Sequence, residues 1–179
     1  MKGVIFNLLQ EAVEGEFDAE VWEHLIDQSG ASGIYTSLGS YPDEEIFALV
    51  ASAAKLTDQE PSAILRWFGQ AAIPLLERRY TEFFTPHDTA RDFVLSVNEI
   101  IHPEVRKLYS GAGCPNFHFD KDEKGRLILG YRSPRRLCQL AHGFIEGATI
   151  HYREDVVVEH LSCMNDGDAV CRLAVDWVR

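Results

Sequence analysis

Residues 129–140 read LGYRSPRRLCQL, and the chain changes character inside them. The segment leading in, NFHFDKDEKGRLILGYRS (116–133), has the period of two of a strand pair, with Lys124-Gly125 near its turn. The segment leading out, LCQLAHGFIEGATIHY (137–152), has helical spacing. Tyr131, Ser133 and Arg135 stand at alternate positions, so an extended backbone over 129–135 projects a phenol, a hydroxyl and a guanidinium from one face. Such a row suits a single anionic group, and the planar fork of arginine suits a carboxylate. It equally suits an exposed strand end whose arginines pair with surface acids.

Upstream of this junction the chain reads as helices. Val4, Ile5, Leu8 and Leu9 recur at near-helical spacing, as do Val21, Trp22, Leu25 and Ile26 behind Asp18, a candidate N-cap. YPDEEIFALVASAAKL (41–56) starts on a proline and three acids, and PSAILRWFGQAAIPLLERRYTEFF (61–84) is a longer helix expected to kink at Pro74. DTARDFVLSVNEIIHPEV (88–105) carries an apolar stripe of Phe93, Val94, Val97, Ile100 and Ile101, which Pro103 is expected to break at His102. Downstream, EDVVVEHLSC (154–163) and AVCRLAVDWV (169–178) read as two strands joined through the Asp-Gly turn of MNDGD. The expected architecture is therefore α+β: a helical N-terminal part packed on a C-terminal part rich in antiparallel sheet, with one helix inserted. At 179 residues this is a single domain, 1–179.

Bulk properties exclude several function classes. No apolar run approaches the length of a bilayer span, and MKGVIFNLLQEAVEGEF meets acids too soon for a signal peptide, so a cytoplasmic location is expected. Net charge is −11, and residues 1–60 hold 12 acids against Lys2 and Lys55. That field repels phosphate backbones and argues against nucleic acid as a partner. It leaves either a solvated acidic face or a docking surface for a basic partner. Cys114, Cys138, Cys163 and Cys171 in a chain without a leader point to thiols, whether for metal, redox chemistry or plain burial. No Gly-x-Ser-x-Gly elbow, phosphate loop, His-Glu-x-x-His or Cys-x-x-Cys is present, so no enzyme and no catalytic residue is expected. His102 ends the apolar stripe just before Pro103, where a rigid ring can point inward, as a ligand or as a packed or capping histidine.

His102-Pro103, the Tyr-x-Ser-x-Arg run YRSPR (131–135), the opening MKGVIFN and LYSGAGCPNF (108–117) resemble, in order and spacing, the heme-nitric oxide/oxygen-binding (H-NOX) domain. This is the sensor module of soluble guanylate cyclase and its bacterial relatives, and the resemblance covers essentially the whole chain. It implies the H-NOX fold, with heme b held between a helical distal part (about 1–60) and a proximal heme-binding part (about 61–179). It implies that His102 is the axial ligand of the iron and that Tyr131, Ser133 and Arg135 bind the heme propionates. Pro115 matches a residue packed on the porphyrin, and Ile5, Leu9, Leu140 and Phe144 match the distal pocket.

In members that bind oxygen, a distal tyrosine stands nine residues after the motif tyrosine; here that position is Leu140. The resemblance then implies a sensor of nitric oxide, also taking carbon monoxide, that excludes oxygen because Leu140 cannot donate a hydrogen bond. In this family NO can break the Fe–His bond, which would release the helix bearing His102 and regulate a separate signalling protein, such as a histidine kinase or a cyclic-di-GMP enzyme. The competing expectation is a zinc-stabilised module that binds a small hydrophobic molecule without heme. His160, Cys163 and Cys171 bracket the Asp-Gly turn, and Cys138 completes a Cys3His set suited to tetrahedral zinc. Some bacterial family members, and the related vinyl-reductase-type domains, look similar in carrying such a cluster. Buried thiols or a Cys163–Cys171 cross-strand disulfide are the alternatives.

Overall fold

A computed structural model describes residues 1–178. Helices α1 (Gly3–Glu16), α2 (Ala19–Ser29), α3 (Asp43–Thr57), α4 (Pro61–Arg79), α5 (Ala90–Ser96) and α6 (His102–Leu108) come first. Then follow β1 (Asn116–Lys121), β2 (Leu127–Arg132), α7 (Cys138–Tyr152), β3 (Asp155–Ser162) and β4 (Cys171–Val178). The strands form one antiparallel sheet in the order β1-β2-β4-β3. This is the α+β arrangement expected from the change of period near residue 116. None of the described helices is long and apolar enough to cross a membrane.

Local chemistry accounts for the helix ends. The Asp18 carboxylate accepts the Val21 N–H at 2.9 Å and so caps α2. Asp43, Glu44 and Glu45 fill the first turn of α3, while Arg78 and Arg79 fill the last turn of α4, each matching the sign of the helix end. α4 runs on through Pro74 to Arg79.

Two buried clusters result. One joins the N-terminal helices through Phe6, Leu8, Ile46, Leu49 and Phe68. The other lies between α7 and the sheet, around Leu129, Leu173, Val175, Cys138 and Cys171. α4 and α7 link them at very close range. A Cβ on Gly143 would stand 2.0 Å from the Arg66 carbonyl oxygen, and one on Gly69 would stand 2.5 Å from that of Leu140. Only glycine allows backbones this near.

Two expectations need correction. β2 ends at Arg132, and its last paired residue against β4 is Tyr131, opposite Cys171. Pro134 has no N–H to continue the ladder, and Arg136 turns left-handed at φ 52°, so Ser133 and Arg135 belong to a turn rather than a strand. Pro103 does not break the helix at His102 either. The helix widens one turn earlier into a π turn over Val97–Ile101, and the His102 N–H donates to the Val97 carbonyl. The wider turn takes up the missing N–H and the ring bulk of Pro103, and α6 proceeds.

Candidate functional site

A cavity of about 310 Å³ opens between the helical part and the sheet. Its wall is mostly aliphatic and aromatic, drawn from α1, α4, α5, α6, β1, β2 and α7 and the loops between them. His102, Tyr131, Ser133 and Arg135 all line it, as do Ile5, Pro115, Leu140 and Phe144. The sequence pattern thus brings the histidine and the Tyr-x-Ser-x-Arg residues to one space. Leu9 does not belong there. It is buried in the helical cluster, and the turn of α1 presents Ile5 and Leu8 to the cavity instead.

The polar residues are held individually. Tyr131 is buried, its hydroxyl accepting the Leu137 N–H at 3.0 Å, and burial pushes its phenol pKa up. Ser133 is buried too, and its hydroxyl accepts the Arg135 N–H at 3.3 Å. The Arg135 guanidinium donates to Asp43 at 2.8 Å and to the Gly113 carbonyl at 2.5 Å. Asp43 also meets the Met1 ammonium at 2.5 Å. Burial works against the Asp43 carboxylate, but the Met1 ammonium and Arg135 together hold its pKa below the usual value. Sequence reading took Asp43 only as a first-turn acid of α3. Its pairing with a residue 92 positions away needed the fold.

His102 stacks on Phe117, ring centroids 5.3 Å apart, and its Nδ1 is buried with no hydrogen-bond partner. Burial, and then the charge of Arg106, pushes its pKa down to about 4. The ring is therefore neutral near pH 7 and keeps a lone pair. Tyr80 and Tyr109 also line the cavity and hydrogen-bond to each other through their hydroxyls. Neither was singled out by sequence, because one follows α4, the other follows α6, and nothing local pairs them. Cys114 lines the cavity as well.

A second constellation lies between α7 and the ends of β3 and β4. Cys138 Sγ is 3.5 Å from Cys163 Sγ, which is 3.9 Å from Cys171 Sγ; all three are buried free thiols. The three sulfurs lie within 4.8 Å of one another. The Met164 N–H donates to Cys171 Sγ at 3.1 Å. Burial raises the pKa of Cys138 and of Cys171, and for Cys138 the neighbouring sulfurs of Cys171 and Cys163 add to the rise. The fourth expected member, His160, is outside this group of sulfurs. Its Nε2 faces His142 Nδ1 at 3.1 Å, and its Nδ1 is buried without a partner. His142 Nε2 is 3.3 Å from a Glu146 carboxylate oxygen, without the alignment of a full hydrogen bond. Arg66 donates to Glu146 through Nε at 2.6 Å and again through Nη2, and Gln70 donates at 2.6 Å. Burial pushes His142 down to about 4 and also lowers His160, so both rings are neutral near pH 7. His142 and Glu146 were missed in sequence, although Cys138, His142 and Glu146 recur every fourth residue and so share one face of α7.

Residues 2–160 match the Haem-NO-binding family. The chain belongs to that family. An H-NOX protein from S. oneidensis, crystallised in the Fe(II)NO ligation state, is similar over 100% of both chains at 30% identity and a TM-score of 0.93. The H-NOX domain from Shewanella oneidensis in the Fe(II)CO state, determined by NMR, is similar over 100% of this chain and 99% of its own, at 30% identity and a TM-score of 0.89. A single-residue variant of the unliganded Fe(II) H-NOX protein from K. algicida gives 25% identity and a TM-score of 0.85, over 100% of this chain and 97% of its own.

H-NOX domains bind heme, and the cavity residues fit that group. A macrocycle needs an apolar enclosure with few polar contacts. Its iron needs a neutral imidazole nitrogen, and its two carboxylates need donors; His102, and the Tyr131, Ser133 and Arg135 set, offer each of these.

Proposed function

We propose that the chain is a ferrous-heme sensor of nitric oxide that excludes oxygen and signals by releasing His102. The observation that carries this reading is the neutral, half-buried His102 in an apolar cavity whose Leu140 side offers no hydrogen-bond donor. Heme b, when bound, supplies an iron that coordinates a diatomic gas. His102 would hold the iron, and Tyr131, Ser133 and Arg135 would anchor the carboxylates. Asp43 and Gly113 pre-orient Arg135, so little side-chain freedom is lost when the carboxylates arrive. Pro115 and Phe144, both in the cavity wall, would pack against the ring. Retention of oxygen at a ferrous centre requires a nearby hydrogen-bond donor, whereas nitric oxide is held without one. Ile5, Leu140 and Phe144 donate nothing; in the Tyr80–Tyr109 pair one hydroxyl donates to the other, so one phenol hydrogen of the cavity wall is left uncommitted. Release of His102 would free α6 with the π turn before it, a wide turn already away from regular helix geometry. The change is read by a separate signalling protein, for which the acidic N-terminal third offers a charged docking face.

The test is the visible absorption of reduced protein under argon, air and NO. The reading expects a spectrum unchanged by air and shifted by NO to that of iron without a histidine ligand. Stable oxygen uptake would sink the Leu140 argument, and protein that takes up no heme would sink the sensor.

We also propose that Cys138, Cys163, Cys171 and His160 hold zinc. Three buried thiols are in mutual contact, and burial raises the pKa of two of them, Cys138 and Cys171. A divalent cation converts them to thiolates and offsets that rise. Zinc content of protein purified under reducing conditions tests this directly: one zinc per chain is expected, and a metal-free chain overturns it.

A further inference from the structure

The histidine pair beside the sulfurs has a definite proton order. Two ring nitrogens 3.1 Å apart, His142 Nδ1 and His160 Nε2, leave room for one hydrogen between them. On its other side His142 turns Nε2 to Glu146, 3.3 Å away. This contact is not aligned as a hydrogen bond, but the carboxylate is anionic and only accepts, so its field favours the hydrogen on Nε2, the nitrogen nearer to it. Glu146 is kept ionised in its half-buried position by Arg66 and Gln70 on α4, which overcome the effect of burial. With its hydrogen on Nε2, neutral His142 has a lone pair on Nδ1, and the shared hydrogen must come from His160 Nε2. His160 is then left with a lone pair on Nδ1. That is the atom found buried and without a partner.

The chain Arg66–Glu146–His142–His160 therefore ends on an unsatisfied acceptor at the seam that also carries the sulfurs. One turn of α7 separates His142 from Cys138, and only Leu161 and Ser162, the end of β3, separate His160 from Cys163. We infer that His142 and Glu146 are the positioning residues of the metal site: they hold His160 as the Nε2–H tautomer and so reserve its Nδ1 as the fourth ligand. This rests on the zinc reading above. It follows the general pattern in which a metal-bound imidazole passes its other N–H to a hydrogen-bond chain that ends on a carboxylate. It also assigns a role to the close contact of α4 with α7, because Gly143 lets Arg66 reach Glu146.

Two measurements test it. The first is the ¹⁵N NMR of the ring nitrogens in reduced, zinc-stripped protein, which reads the tautomer with no metal present. Wild-type His160 is expected as Nε2–H, and His142→Phe is expected to abolish that preference. His142→Gln, whose amide oxygen accepts the same hydrogen, should restore it. A wild-type Nδ1–H ring, or a His142→Phe variant with an unchanged His160, overturns the inference.

The second is zinc affinity by chelator competition on the same proteins. His142→Phe should weaken binding about 10–100-fold, Glu146→Gln less, and His142→Gln least. Equal affinity in wild type and His142→Phe overturns the positioning role while zinc binding stands. Wild type that takes up no zinc yet shows the Nε2–H tautomer overturns the metal reading instead. Far-ultraviolet circular dichroism identifies any variant that has lost its fold, in which case Glu146→Gln carries the comparison.

Discussion

Leu140 and Phe144, on one side of α7, face a cavity walled by seven helices and strands; Cys138, His142 and Glu146, on its other side, enter a small cluster closed by α4, β3 and β4. The cavity is a volume. Each apolar residue of its wall contributes a fraction, and a neighbour can shift to replace it. The cluster is a set of directions. Its three sulfurs and two rings must each point one way, and no neighbour can substitute for a lost atom. A single helix supports both because residues four apart repeat on one face while those two apart fall nearly opposite. Tolerance to substitution should therefore differ sharply between the two sides.

The harshest break of that comparison is a change that strikes both sides together. Gly143→Ala sets a methyl against the Arg66 carbonyl and forces α4 from α7. It should cost about 3 kcal/mol, lowering the melting temperature while reducing heme retention and zinc content at once. Loss of one property alone would show that the sites do not share this contact.

Next comes a crossed pair. Cys171→Ser should abolish zinc uptake and leave the reduced visible spectrum as it was. His102→Gly should change that spectrum, with recovery on added imidazole, and leave zinc untouched. Metal analysis and absorption spectra on both variants check it, and crossover in either direction would mean that α7 transmits between the sites.

Leu140→Tyr sharpens the cavity side by adding one donor. A hydrogen bond to a partly charged partner contributes about 1.5–3 kcal/mol, so oxygen retention should rise by about 10–100-fold, read as a spectral change in air. Retention that does not rise would place the distal pocket elsewhere.

The smallest effect is expected at Asp43, whose carboxyl sits below its usual pKa. A depressed carboxyl stabilises the fold above the unfolded-state pKa, and that contribution disappears as pH falls through the folded value. Asp43→Asn should therefore cost at most ~1 kcal/mol near pH 7, as expected for a partly exposed pair. The difference from wild type should vanish in acid, and thermal melts at the two pH values measure it.

Much of this architecture was legible in the chain itself. The helices, the hairpin around Lys124-Gly125 and the change of period near residue 116 follow from local preferences. His102 and the Tyr131, Ser133 and Arg135 run acquired their expected roles from the resemblance to H-NOX domains; the residues alone left a packed histidine and an exposed strand end open. The resemblance assigned Leu9 to the distal pocket, whereas the residues of α1 that line the cavity are Val4, Ile5 and Leu8, and Leu9 packs in the helical cluster. The strand was read too far, to Arg135, because alternation continued past the proline that ends the ladder.

By itself, then, the sequence determined which segments are helix or strand, where the signature residues stand along the chain, and what kind of groups they are. Those are properties of near neighbours, set by side-chain period and backbone sterics. Only the tertiary structure decided that Asp43 meets Arg135, that Tyr80 meets Tyr109, that helix continues through Pro103 by way of a π turn, and that His160 Nε2 meets His142 Nδ1. Each of these depends on which elements touch, at what distance and with which face. Hydrogen bonds act over about 3 Å, so partners far apart in sequence are chosen only when packing has closed the space between them.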